Sequence, residues 1–197
     1  MIKLLLEMAT IGMTGIFLQN LVLTQGIGTC EALKIANTTR GRITFGALVW
    51  YFSTFSALLI WPVDRLMGFE KTNIHARTLV FVILIVFLYL ITAGTLGLFG
   101  KLTPRGVRKL AYAALNGIVV AVPFYNRAQA YDIWSSLAFG FCAGLGFMLA
   151  LWLACEGLRR INSPDVPAAF RGLPIAFLYM GILSLAFFAL EGKVYLP

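Results

Sequence analysis

The sequence predicts an all-α integral membrane protein of about six transmembrane helices in a 3+3 inverted repeat, with the first and fourth segments short or broken. Three observations carry this prediction. Sixty per cent of the 197 residues are hydrophobic, 12% are charged and the mean hydropathy is +0.87. Those apolar residues fall into six stretches, and landmarks in the two halves repeat at a fixed offset. A soluble core of this length cannot enclose so much apolar surface, so lipid must solvate part of it. No Pro/Ser-rich or low-complexity stretch divides the chain, which reads as a single transmembrane domain over 1–197 with repeats 1–100 and 101–197. Met1 to Ala9 carries Lys3 and Glu7 without a small-residue cleavage site after it, so no removable signal peptide is expected.

The stretches run from about Leu4 to Ile27, Ile43 to Val63, Thr78 to Phe99, Leu110 to Phe124, Ile133 to Cys155 and Leu173 to Leu190. A helix needs roughly 20 apolar residues to cross the hydrocarbon core. The fourth stretch falls short of that and is expected to be a half-helix or broken helix. Gly46 in Thr44-Phe45-Gly46-Ala47 and Gly140 in Ala138-Phe139-Gly140-Phe141 lie 94 positions apart, as do Arg77 and Arg171 at the openings of the third and sixth stretches. Three segments per half make the halves face opposite ways, and such repeats place the functional site where their broken helices meet near the midplane.

The formal net charge of +8 sits in short loops between apolar runs, where the positive-inside rule accounts for it, and no nucleic-acid partner is expected. Cys30, Cys142 and Cys155 show neither a CxxC nor a His/Cys spacing, which suggests neither a disulfide framework nor a zinc site. No catalytic triad, phosphate loop or nucleotide fingerprint is present, and the lone His75 lies in a polar loop. The second, third and fifth stretches hold no carboxylate, leaving Glu7 and Glu31 near membrane depth.

Two places carry chemistry. In Gln19-Asn20-Leu21-Val22-Leu23-Thr24-Gln25-Gly26-Ile27-Gly28-Thr29-Cys30, three amides in an apolar helix each require a hydrogen-bond partner. Gly26 and Gly28 permit a break and a close approach, and Cys30 follows as either a ligand or an inert buried thiol. In the second half, Asn116-Gly117 within Leu115-Asn116-Gly117-Ile118-Val119-Val120 repeats the pattern of a lone Asn beside Gly. Its alternatives are a site or an interhelical hydrogen bond with a kink.

At these residues the sequence resembles the RnfA/NqrE family, membrane subunits of the Rnf and Na+-translocating NADH:quinone oxidoreductase complexes. Asp165-Val166-Pro167-Ala168-Ala169-Phe170-Arg171-Gly172 is similar to the family's D-V-P-x-x-[FL]-R-G signature. Ile182-Leu183-Ser184-Leu185-Ala186-Phe187, Gly192, Arg77-Thr78-Leu79-Val80-Phe81 and Asn20-Leu21-Val22-Leu23 with Gly28 and Cys30 continue the likeness over nearly the whole chain. The resemblance implies a component of an ion-translocating electron-transfer complex in a bacterial or archaeal cytoplasmic membrane, not catalytic alone and paired with a homologous RnfE/NqrD-like subunit. It also implies a [2Fe-2S] cluster shared between the two subunits, each giving one Cys from its first and one from its fourth segment. Metal ligation is thereby expected of Cys30, with Asn20, Gly28 and Asn116 around the cofactor. The second cysteine position reads Gly117 here, and Thr92-Ala93-Gly94 stands where the third helix usually carries a Glu. The alternatives are a cluster-less structural subunit or a stand-alone inverted-repeat transporter.

Loops after the odd-numbered stretches hold ten of the 16 Lys and Arg residues and the other side holds six, which places both termini outside. Reporter fusions at Pro197 and in the loop near Arg105 are expected to report opposite faces of the membrane; a cytoplasmic C-terminus would overturn that orientation.

Overall fold

The computed structural model describes residues 2–29, 39–66, 74–100, 103–161, 167 and 170–191. Its helices are α1 (Ile2–Met13), followed directly by a π-helical turn at Thr14–Leu18, α2 (Thr39–Leu66), α3 (Ile74–Leu98), α4 (Pro104–Ala114), α5 (Gly117–Ala128), α6 (Ile133–Ile161) and α7 (Leu173–Glu191). There is no strand among the described residues. Among the described residues, four segments are long and apolar enough to cross a membrane: Gly41–Leu66, His75–Leu98, Gly106–Ala128 and Ile133–Ile161. Leu6–Leu18 and Leu173–Ala189 are apolar and shorter, which makes six segments in the expected order.

The helix breaks fall in the first and fourth segments. The first is helical only through Leu18 and continues as turns through Gly28, so the apolar stretch to Ile27 is not one helix. The fourth is longer than its apolar stretch: α4 and α5 together run from Pro104 to Ala128, interrupted at Leu115 and Asn116. The amphipathic α4 hides its reach from a hydropathy reading, because Arg108, Lys109 and Tyr112 are exposed while Leu110, Ala113 and Ala114 are buried. Thr103 caps α4 by accepting from Gly106 N–H at 3.1 Å, with Pro104 at the first helical position where its missing N–H is harmless.

The core is the crossing of α2 and α6. Gly46 lies against Met148, Gly144 against Trp50, and Gly140 against Ser53 and Ala57. Numbers fall on one helix as they rise on the other, so the two run antiparallel. Small residues let the backbones approach, which is what drives helix association where lipid removes the hydrophobic incentive. The Ser53 hydroxyl donates to Gly140 O at 3.0 Å across that seam, and the Ser56 hydroxyl reaches Val119 O of α5 at 3.4 Å. Phe45, Phe52, Phe139 and Phe147 fill the remaining space. The first segment packs on α6 through Gly12 and Gly15, which face Cys142 and Phe139. At the other end, the Tyr179 ring of α7 lies over Gly157, with its hydroxyl donating to Leu153 O at 3.3 Å.

Much of α3 and α7 faces outward with Leu79, Ile83, Phe87, Leu90, Phe177, Leu178, Ile182 and Leu185 exposed. In a bilayer this is the surface for lipid or for other subunits.

A Cβ at Gly144 would stand 2.6 Å from Trp50 Cα and 2.5 Å from Ser53 Oγ. Gly144→Ala must therefore push α2 away from α6, and overpacking of this kind costs about 1–3 kcal/mol. Thermal unfolding of the detergent-solubilised protein is expected to shift down for Gly144→Ala and to stay unchanged for Gly97→Ala, whose surroundings are open.

Candidate functional site

The two breaks meet inside the protein. Asn20, 1% exposed, follows the π-helical turn and gathers the chain ends there. Its Nδ2 donates to Ile16 O at 2.9 Å and to Gly146 O of α6 at 3.0 Å, while its Oδ1 accepts from Val22 N at 3.1 Å and Leu23 N at 3.3 Å. Gly146 is required for this approach, since a Cβ on it would stand 3.0 Å from Asn20 Nδ2. One amide thus satisfies backbone groups that a broken helix leaves open. Leu21, Val22 and Leu23 are buried beneath it.

Asn116 does the matching work at the second break. It is fully buried, takes an extended backbone (φ −63°, ψ 141°) and caps α5 by accepting from Ile118 N at 3.0 Å through Oδ1. Its Nδ2 has no hydrogen-bond partner among the described residues.

Gly28 joins the two. Its φ of +81° is left-handed, and a Cβ there would stand 2.9 Å from Asn116 Oδ1, so only glycine suits the position on both counts. Gly117 faces it from the other side: a Cβ would stand 2.9 Å from Ile27 Cγ2, 3.3 Å from Gly28 N and 3.8 Å from Gly28 Cα. A further polar link runs from the Tyr125 hydroxyl of α5 to Gln19 Oε1, and the Tyr125 ring stacks on Phe139 at 4.5 Å.

Of the residues the sequence singled out, Gly28, Asn116 and Gly117 come together, while Asn20 lies in the same turn region of the first segment as Gly28 and is held to Gly146 of α6. Cys30 lies outside the described residues, as do Glu31 and Asp165. Gln25 is exposed. Cys142 packs on Gly12, and Cys155 is buried in α6. Among the described residues no group of three or more His, Cys, Asp or Glu side chains stands together.

The sequence reading missed a second polar cluster at the far end of α5. The Arg127 guanidinium donates to Asp64 Oδ2 at 2.5 Å, and Trp61 Nε1 donates to Tyr131 O at 3.0 Å. Asn126 and Ser136 are buried beside them. In the sequence Asp64 and Arg127 each stand at the end of an apolar run, and only their pairing across 63 positions marks the place.

These features define a class: a multi-pass helical membrane protein with two interrupted helices whose breaks touch in its interior. The chain belongs to the family described as Rnf-Nqr subunit, membrane protein, whose match covers residues 8–194. It is 31% identical over 193 residues to a subunit of the ion-translocating oxidoreductase complex of Aromatoleum aromaticum, covering 95% of this chain and 98% of that protein. It is 29% identical to the corresponding protein of Histophilus somni, over 90% and 92% of the two chains. A subunit of the proton-translocating ferredoxin:NAD(+) oxidoreductase complex of Clostridium ljungdahlii is 28% identical, over 94% and 96%.

Each of the four hydrogen bonds made by the Asn20 side chain contributes about 0.6 kcal/mol in a membrane setting. Asn20→Leu removes them and leaves two backbone N–H groups without acceptors. A loss of about 2–4 kcal/mol is expected, seen as a lower unfolding temperature and a lower yield of assembled protein. Asn116→Leu should act in the same direction more weakly, and Ile83→Leu on the exposed face of α3 should do neither.

Proposed function

We propose that this chain is the RnfA-like membrane subunit of an Rnf-type ion-translocating oxidoreductase complex, embedded in a bacterial or archaeal cytoplasmic membrane beside a homologous RnfE/NqrD-like subunit. The observation that carries the reading is the match to complex subunits over nearly the full length of both chains, together with the two touching breaks. The chain holds no catalytic constellation of its own in this reading; it is a membrane scaffold for electron and ion transfer performed by the assembly.

The 3+3 inverted repeat, 1–100 against 101–197, belongs to the same proposal. At the 94-residue offset, the counterpart of Trp50 is Gly144, and these two residues touch at the centre of the α2–α6 crossing. Antiparallel helices meeting at mutually equivalent residues are what a two-fold axis in the membrane plane produces. The paired Asn-containing breaks, one per half, support it further.

The shared [2Fe-2S] cluster meets a misfit. A cluster held by two thiolates from each subunit does not suit these residues, because Gly117 brings no side chain and its neighbourhood is filled by Ile27 and Gly28. The proposal is therefore limited to Cys30, two positions after Gly28 in the sequence, as the one family cysteine position this chain keeps, with the other ligands supplied from elsewhere in the complex.

Affinity purification of the full chain from gently solubilised membranes is expected to retain further complex subunits, including a homologous six-segment one; recovery as a lone chain would overturn the assignment. In the same preparation Cys30→Ser is expected to lower the iron content and alter the EPR spectrum. Unchanged iron and spectrum would leave Cys30 without a metal role, while membership of the complex stands on its own result.

A further inference from the structure

A cavity of about 440 Å³ opens between the C-terminal ends of α2 and α5, the start of α6 and Phe81 of α3. That volume lies within the roughly 300–1,000 Å³ usual for ligand sites. The cavity sits where spanning segments end: Arg65 stands one residue before the end of Gly41–Leu66, and Arg127 one before the end of Gly106–Ala128. Asn126 stands ten residues of helix, about 15 Å, from Asn116, so the cavity lies toward one membrane face and the break lies deeper.

The charge presented to this cavity is positive. Asp64 is the one carboxylate on its wall among the described residues, and it is already engaged: Oδ2 accepts from Arg127, and Oδ1 is shut off from the surface. Arg127 keeps 27% of its side chain accessible. Arg65 is exposed and has no carboxylate partner among the described residues; its guanidinium lies 5.5 Å from the Trp61 ring centre. Two guanidiniums less one carboxylate leave the wall at +1. The positive-inside rule does not account for these arginines, since both belong to the face with six of the 16 Lys and Arg residues rather than to the face with ten.

Both arginines are held in place by the protein. Asp64 fixes Arg127, while Trp61, which carries Arg65, is anchored by donating from Nε1 to Tyr131 O at 3.0 Å. Tyr131 reaches that position because Ala130 takes a left-handed φ of 52° at the end of α5, with Tyr131 N donating back to Asn126 O at 3.0 Å. The remaining wall includes the buried, apolar Ala57, Ile60, Phe81 and Pro123.

We propose that this cavity seats the headgroup of an anionic phospholipid, with Arg65 and Arg127 donating to its phosphodiester oxygens and the apolar wall receiving the glycerol end of an acyl chain. Guanidinium forks match phosphate oxygens, and basic pockets between membrane helices take anionic headgroups. A singly charged anionic lipid neutralises the wall, whereas a zwitterionic lipid brings a cation to the arginines along with its phosphate. Free phosphate would satisfy the arginines but leave the apolar wall in water, which favours the lipid. The site does not rest on the complex assignment, because every group it uses belongs to this chain.

The test delipidates the purified protein, with whatever subunits it retains, in a nonionic detergent. Its unfolding midpoint is then followed on adding phosphatidylglycerol, phosphatidylcholine or inorganic phosphate. Phosphatidylglycerol is expected to raise the midpoint at concentrations where the other two do not. Arg65→Gln is expected to weaken that preference about fivefold, which is what one basic side chain at a membrane surface supplies. Arg108→Gln, on the exposed side of α4, is expected to leave it unchanged. Equal shifts with the two lipids, or a phosphate shift as large as that of phosphatidylglycerol, would overturn the headgroup site. Equal losses from Arg65→Gln and Arg108→Gln would overturn it as well, by assigning the preference to diffuse surface charge. Arg127→Gln is expected to lose at least as much as Arg65→Gln, but it strands Asp64. Where it does not assemble, Arg65→Gln decides, since Arg65 leaves no carboxylate behind. A chain that purifies without partners is measured in the same way, so failure of the complex assignment and failure of the lipid site are read separately.

Discussion

A broken helix inside a membrane exposes backbone N–H and C=O groups to a medium that cannot hydrogen-bond them, and the protein must answer each one from within. Two buried asparagines do so. Asn20 binds two carbonyls and two amide N–H groups, while Asn116 caps the start of α5. The rest of the centre follows from their needs. Gly146 leaves room for one amide, Gly28 leaves room for the other, and Gly117 lets the two broken segments come within van der Waals distance.

Around this point the protein uses small residues rather than large ones to make contact. Gly140 and Gly144 bring α6 onto α2, and Gly12 and Gly15 bring the first segment onto α6. The large apolar side chains divide between two duties. Phenylalanines fill the space beside the crossing, while leucine, isoleucine and phenylalanine on α3 and α7 face outward. Burial inside the chain therefore tracks closeness of backbones more than hydrophobicity, as expected where lipid is as apolar as the core.

Polar chemistry is gathered along α5. Its N-terminus carries Asn116 at the meeting of the breaks, and its C-terminus carries Asn126 and Arg127 at the cavity. Between them Tyr125 ties the helix back to Gln19 of the first segment. A single short helix thus links the central break with the polar cavity near one face.

Hydropathy alone determined the membrane class and the order of six segments, because the length of an apolar run is set by bilayer thickness and needs no tertiary information. Local chemistry also marked the breaks: an amide beside glycine in an apolar run has few other uses, and Asn20, Gly28, Asn116 and Gly117 all stood out for that reason. The reach of the fourth segment was hidden, since α4 buries one face and shows charges on the other, which lowers its average below a spanning helix. Asp64, Asn126, Arg127 and Ser136 were hidden more deeply. Each is ordinary in its own sequence neighbourhood, and the pairing of Asp64 with Arg127 spans 63 positions. Only the antiparallel crossing of α2 and α6, with α5 laid across it, brings these side chains to one wall. Tertiary structure alone decided their burial, because the groups packed around them come from other helices.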